Sequence, residues 1–136
     1  MSFTLSRWTA FAIATAGILV IAAAVAGLAR SERQQKEDVA RAITGGDPTR
    51  APALIRRYGC AGCHTISGIP GGDGQVGGSL TGLRARVYIA GVTTNSPDNL
   101  VRWIVKPQVF SPRTAMPATG ITEADARDVA AYLYAQ

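Results

Sequence analysis

The chain is poor in the residues that hold bare metal ions: its 136 positions contain two cysteines and one histidine. A structural zinc site takes four protein ligands, so these three cannot complete one without carboxylates or a second chain. The net charge is +5, yet the sequence has no run of five basic residues. That scatter gives no support to a nucleic-acid binder. A strand-length alternation of apolar and polar residues is also missing, as is any βαβ pattern. The fold class read from the sequence is therefore all-α.

Charge is absent altogether from Trp8 to Leu28 (WTAFAIATAGILVIAAAVAGL). As a helix this run would be about 31 Å long, close to the thickness of a bilayer's hydrocarbon core. Trp8 lies at one end, and Arg7 and Arg30 flank it as interfacial residues do. A cleaved secretory signal is the competing reading, with Ala24-Val25-Ala26 as the small-residue site. The run exceeds a typical signal's apolar core and has no polar stretch before that site, which favours retention as an anchor. Either reading exports the remainder. Basic residues on the two sides do not decide the orientation, because Arg30, Arg33 and Lys36 are interleaved with Glu32, Glu37 and Asp38.

Three segments follow from this composition: a transmembrane anchor over 1–29, a polar stalk over 30–46 and a globular head over 47–136. The stalk consists of good helix formers (SERQQKEDVARAI) and breaks at Gly45-Gly46. In the head, Asp47-Pro48 reads as the start of a short helix reaching Tyr58, with Leu54, Ile55 and Tyr58 on one side and Gly59 as its stop. Residues 68–82 hold seven glycines and one proline and read as loop. Leu83 to Ala90 reads as a short helix stopped by Gly91. Ser96-Pro97-Asp98 opens a clearer one, with Leu100, Trp103 and Ile104 as its apolar stripe and Pro107 as its end. The last helix starts at Thr122, whose partner Asp125 suggests a capping box, and buries Ala126, Val129, Ala130 and Leu133. A head this small and loop-rich has a thin core, so something large and apolar is expected at its centre.

Cys60-Ala61-Gly62-Cys63-His64 supplies it. C-x-x-C-H is the attachment signal of covalent haem c. Two thiols at that spacing can each bond one of the porphyrin's two vinyl groups, and the adjoining imidazole is then held under the iron. A thioredoxin-like pair lacks its βαβ context here, and a plain disulfide leaves His64 unexplained. With a single histidine, two imidazole ligands from one chain are ruled out. Apart from Met1, the only methionine is Met116, in the loop Pro112-Arg113-Thr114-Ala115-Met116-Pro117. A methionine can also be a core gap-filler, but Met116 lies between prolines and not on a helix's apolar face. It is the candidate sixth ligand. A thioether favours ferrous iron, raises the potential and closes the coordination sphere, which suits electron transfer over catalysis.

The order C-A-G-C-H after a short helix, a Gly-rich loop, then M-P before a terminal amphipathic helix resembles the class I (mitochondrial-type) cytochrome c family over residues 48–136. Asn95-Ser96-Pro97-Asp98-Asn99-Leu100, with Trp103-Ile104 and Pro107, is similar to cytochrome domains on bacterial haem-copper oxidases, many of them tethered. The resemblance implies a membrane-tethered monohaem electron carrier and not an enzyme. Its implied partners are the membrane, a haem-copper oxidase and a quinol-cytochrome c oxidoreductase. It also implies a bacterial inner membrane with the haem domain on the periplasmic side, since thioether attachment occurs on the exported face.

The family commonly has Gly-Pro after the haem motif, the proline carbonyl accepting the haem histidine's outer N–H. Here Gly77-Gly78 stands in that place, with the Gly78 carbonyl still on offer. By the same analogy the Tyr58 helix crosses the C-terminal helix near Tyr132. Trp103, Arg84, Arg86 and Arg113 are candidates for the haem propionates, with core packing and solvated surface as their alternatives. From residue 47 on there are nine Lys/Arg and six Asp/Glu, and a basic ring around the haem edge is expected to steer toward an acidic partner. Two rival readings stand beside the carrier: a catalytic or gas-sensing cytochrome with a labile Met116, and a structural anchor subunit stapled by its haem.

Overall fold

The computed structural model describes residues 3–136, with side chains described from Trp8 onward, so the flanking charge of Arg7 lies outside what is described. Four α-helices are found among them. The first, α1, runs from Phe3 to Thr44 without a break. Its apolar part starts at Trp8 and is long and apolar enough to cross a membrane, with none of that surface buried by the chain itself. Leu19 is 69% exposed and Leu28 67%.

The polar segment 31–43 continues the same helix, as its Glu, Arg, Gln, Lys and Ala content favours. Gly45 ends it in the left-handed conformation (φ 70°), its N–H donating to the Arg41 carbonyl at 2.8 Å. Two compact units divide within α1: one reaches Gln35, and the other is Lys36–Gln136. In the second unit the last turns of α1 are part of the packing, with Ala40 and Thr44 buried.

A polar joint ties those turns to the head. Arg127 donates to the Thr44 carbonyl (3.0 Å) and pairs with Glu123 (2.7 Å). The Asp47 N–H donates to Asp128 Oδ1 (2.6 Å), and Arg50 pairs with Asp128 Oδ2 (2.9 Å). Asp128 is buried, so these partners offset the desolvation its charge would otherwise suffer. Gly46 lies directly on the backbone of Arg127 and Asp128, where a Cβ has no room. The glycine pair thus has two separate jobs: Gly45 turns the chain and Gly46 permits close approach.

The second helix, α2 (Ala51–Arg57), begins three residues later than the Asp47-Pro48 reading expected. Asp47 instead closes a local turn, its Oδ1 accepting from the Thr49 N–H (3.0 Å) and hydroxyl (2.8 Å). An Asx turn of this kind competes with a helix cap, and Pro52 takes the first-turn position that favours proline. Leu54 and Ile55 are buried, and left-handed Gly59 (φ 72°) stops the helix region before the cysteines.

Leu83–Ala90 is not a helix. Leu83–Ala85 makes one 3-10 turn, followed by a small antiparallel pair, β1 (Tyr88–Ile89) and β2 (Thr93–Thr94). Asn95 explains the switch: its side-chain amide donates to the carbonyls of Leu83 and Arg86 at 2.8 Å each, taking acceptors a longer helix would need. Ala90 (φ 48°) and Gly91 (φ 73°) then form a hairpin turn left-handed at both central positions. The architecture remains all-α with this one short ribbon.

The third helix, α3 (Pro97–Val105), starts as expected, with Ser96 Oγ accepting from the Asn99 N–H (3.3 Å) and Pro97 in its first turn. The last, α4 (Glu123–Tyr134), is capped by Thr122, which accepts from the Asp125 N–H at 3.1 Å. The Asp125 carboxylate does not simply complete a capping box; it accepts from the Tyr58 hydroxyl at 2.8 Å. Helices α2 and α3 both pack on α4. The core between them includes Ile55, Leu100, Trp103, Ile104, Val129 and Leu133.

Candidate functional site: an apolar cavity beside the C-x-x-C-H turn

The Cys60–Gly62 3-10 turn follows directly on Gly59 and brings the His64 N–H onto the Cys60 carbonyl at 3.0 Å. Cys60 is half-buried, Cys63 is exposed, and the two sulfurs are not bonded to each other. Burial pushes the Cys60 thiol above its ordinary pKa, keeping it protonated in the bare polypeptide.

The Gly-rich segment folds back over this turn. The Gly77 N–H donates to the Cys63 carbonyl (2.7 Å), the Ile66 N–H to Gly72 (2.8 Å) and the Leu80 N–H to Thr65 (2.8 Å). His64 Nδ1 lies 2.7 Å from the Gly78 carbonyl. A carbonyl can only accept, so Nδ1 is the donor, and in the neutral ring Nε2 keeps its lone pair. The imidazole also sits against Gly77 so closely that a Cβ there would run into the ring. Gly74 is similarly confined, since its Cβ would fall 2.6 Å from the Cys63 carbonyl carbon. Gly74 and Gly77 of this loop therefore clear space for the motif.

The imidazole borders a cavity of about 290 Å³. Its wall comes from every part of the head: Ile55 of α2, Ile66 and Leu80 of the Gly-rich loop, Leu83, Ile89, Leu100 and Trp103, and Val129 and Leu133 of α4. Cys60, His64 and Met116 all line it, whereas Cys63 does not. Met116 is half-buried, with its N–H on Thr114 Oγ1 (3.2 Å) and its carbonyl accepting from Gln108 Nε2 (3.0 Å). The candidate residues thus converge from distant parts of the sequence on one greasy space.

Of the four propionate candidates, Trp103 and Arg86 line the cavity and Arg84 and Arg113 do not. Arg86 is fastened by its Nη2 to the carbonyls of Ser79 (2.6 Å) and Thr81 (3.0 Å). Asn95, which holds the turn that delivers Leu83 and Arg86, accepts in turn from the Tyr134 hydroxyl at 2.6 Å. Burial pushes the Tyr134 phenol up to about 12. This brace went unnoticed in the sequence because nothing local marks an asparagine that bonds across the fold.

Helix α2 packs on α4, and the Tyr58 hydroxyl itself reaches Asp125. Tyr132 donates to the Ser67 carbonyl (2.7 Å), and Gly68 (φ 74°) makes room for its hydroxyl. The bond from Tyr58 holds the Asp125 carboxyl below its usual range and pushes the Tyr58 phenol up. The three acids of α4 are all engaged: Glu123 by Arg127, Asp125 by Tyr58 and Arg50, and Asp128 by Arg50 and the Asp47 amide. Among the described residues, no group of three His, Cys, Asp or Glu side chains is placed to hold a bare metal ion.

A small helical head, with an imidazole and a paired-thiol turn set against an apolar cavity, defines a domain built around a flat hydrophobic prosthetic group. The family model for cytochrome c matches residues 48–135, and the chain belongs to the cytochrome c family. The domain accordingly carries covalent haem c and transfers electrons. The chain is also similar to a cytochrome c oxidase subunit 2 of Alkalihalophilus pseudofirmus, with 37% identity over 82 residues. That match covers 59% of this chain but only 23% of the relative's length. No solved structure matches the chain.

The residues fit haem. The cavity wall is apolar except for a few placed groups, one imidazole and one thioether are among its lining, and the missing Cβ of Gly77 leaves room for the imidazole ring.

Proposed function

We propose that the protein is a membrane-tethered monohaem cytochrome c that passes single electrons to a haem-copper terminal oxidase, drawing them from a quinol-oxidising complex. The observation that carries this reading is the convergence of Cys60, His64 and Met116 on one apolar cavity with His64 Nδ1 already committed to Gly78. Cys60 and Cys63 would hold the haem through thioether links, and His64 Nε2 and Met116 Sδ would ligate its iron. The bound haem supplies a reversible one-electron couple.

Around it, the chain's residues set the conditions of that exchange. The Gly78 carbonyl orients the imidazole and makes it a better donor. The Met116 sulfur would favour the reduced iron and leave no open position on it. The aliphatic wall excludes water, which keeps reorganisation small. Arg86 and Trp103, which line the cavity, would hold the propionates.

The apolar run of α1 serves as a retained anchor in the bacterial inner membrane, with its amino terminus in the cytoplasm and the head in the periplasm. Tethering raises the partner's effective concentration. The similarity to an oxidase subunit 2 supports an oxidase as acceptor, with the head either a fixed subunit of it or a tethered shuttle. Basic residues around the haem edge steer the head toward an acidic partner.

The experiment is purification of the full chain in mild detergent with identification of companion chains and assay of oxidase turnover. Copurified oxidase whose turnover collapses in Met116→Ala is the expected result. Full turnover in that variant would support the structural-anchor reading instead. Rapid carbon monoxide binding by the reduced wild type would favour the gas-binding one.

A further inference from the structure

Met116 sits in a loop without regular secondary structure, so its backbone N–H and carbonyl have no helix or sheet ladder to join. Both are nevertheless taken, and both by side chains. The N–H donates to Thr114 Oγ1 and the carbonyl accepts from Gln108 Nε2. The two holders differ in origin. Thr114 belongs to the same loop and is itself fixed by its N–H on the Ser111 carbonyl (3.0 Å). Gln108 comes from the 3-10 turn Pro107–Val109, which follows α3.

That turn is a firm base. Pro107 is fully buried, and the Val109 and Phe110 amides close the turn onto Lys106 and Pro107 at 3.1 Å each. The turn packs on α3, whose Trp103 and Ile104 form part of the cavity wall. Gln108 therefore connects the residue over the cavity to the wall of the same cavity through a single amide.

We infer that Gln108 and Thr114 form a side-chain latch that holds the Met116 thioether in place, with Gln108 as the positioning residue that decides how often the sixth position opens. The inference rests on Met116 as axial ligand. It goes further by assigning the lability of that ligand to a residue that never touches the iron. Gln108 is half-buried and the Met116 carbonyl can turn to water when released, so the latch contributes little to global stability. Its loss acts on the loop directly.

Carbon monoxide is the probe, applied to the reduced full chain in detergent. At saturating gas the observed binding rate reads the opening of the Met116 position. Gln108→Leu, similar in volume but without the donor, is expected to speed opening about fivefold to tenfold, the loss of one hydrogen bond. The thermal midpoint of the head should hardly move, and the reduction potential should fall. Gln108→Asn, too short to keep the bond's length, should show a smaller acceleration and serves if the leucine variant fails to assemble. Thr114→Val should speed opening as well.

A Gln108→Leu rate equal to wild type, while Met116→Ala opens the site fully, overturns the latch and leaves the axial assignment standing. An acceleration accompanied by an equivalent loss of thermal stability also overturns it, since Gln108 would then be a structural residue only. Wild type binding carbon monoxide as fast as Met116→Ala would sink the axial assignment itself.

Discussion

The apolar part of α1 and the head obey different rules although one helix runs through both units. From Trp8 to Leu28 no side chain is buried by the protein, and helix formation there owes nothing to packing within the chain. From Lys36 onward the same backbone geometry is held by distant partners: Thr44 by Arg127, Asp47 by Asp128, Tyr58 by Asp125. In the first region a residue matters through its transfer energy. In the second it matters through what it touches.

Perturbations should separate the two regions sharply. The largest effect is expected from Cys60→Ser with Cys63→Ser, which removes both proposed thioether links. The head should lose its covalently attached colour and much of its cooperative thermal transition, while helicity of the apolar segment in detergent persists by circular dichroism.

Next is Gly77→Ala. Its Cβ runs into the His64 ring, and an overpacked site of this kind costs about 1–3 kcal/mol. Calorimetry of the head's transition should show the loss, together with a lowered reduction potential as the imidazole is displaced. Gly46→Ala, confined by the Arg127–Asp128 backbone, should cost a similar amount without moving the potential.

Titration gives a smaller effect, with a sign that follows from the shifts. The Tyr134 and Tyr58 phenols are raised above their ordinary value of 10.0, Tyr134 to about 12. Folding therefore keeps their contribution in full below pH 10.0 and loses it as the pH climbs above that, for Tyr134 through about 12. Tyr134→Phe should flatten that alkaline slope in chemical denaturation. Asp47 and Asp125 are shifted the other way, down from 3.8. Their contribution is present above pH 3.8 and fades as the pH falls below it.

The smallest effect is expected in the apolar helix. Leu19→Ala, at a side chain left exposed by the protein, should leave the head's unfolding within about 0.5 kcal/mol of wild type. A larger shift would mean that the two regions are energetically coupled.

Legibility divides along the same line. The apolar helix could be read at once because its signal is additive over a contiguous run. The C-x-x-C-H turn, the Ser96 and Thr122 caps and the buried stripes of α3 and α4 were readable for the same reason: each is written within a few residues. Asp47 misled because a local Asx turn and a helix cap draw on the same residue type. Leu83–Ala90 misled because Asn95, beyond the segment, claims its carbonyls. The separate tasks of Gly45, Gly46, Gly74 and Gly77 were hidden, since a glycine's sequence context does not reveal what lies against its missing Cβ.

By itself the amino-acid order determined a helix suited to a bilayer, an all-α head and the residue types available to a haem: two thiols, one imidazole and one thioether. Only the tertiary structure decided that Cys60, His64 and Met116 share a cavity, that His64 Nδ1 is spent on Gly78, and that Arg86 and Trp103 face that space while Arg84 and Arg113 do not. The physical reason is range. Transfer energy and capping act between neighbours in the chain, whereas cavities, close backbone approaches and the buried Asp128 pairing exist only once segments far apart in sequence are brought into contact.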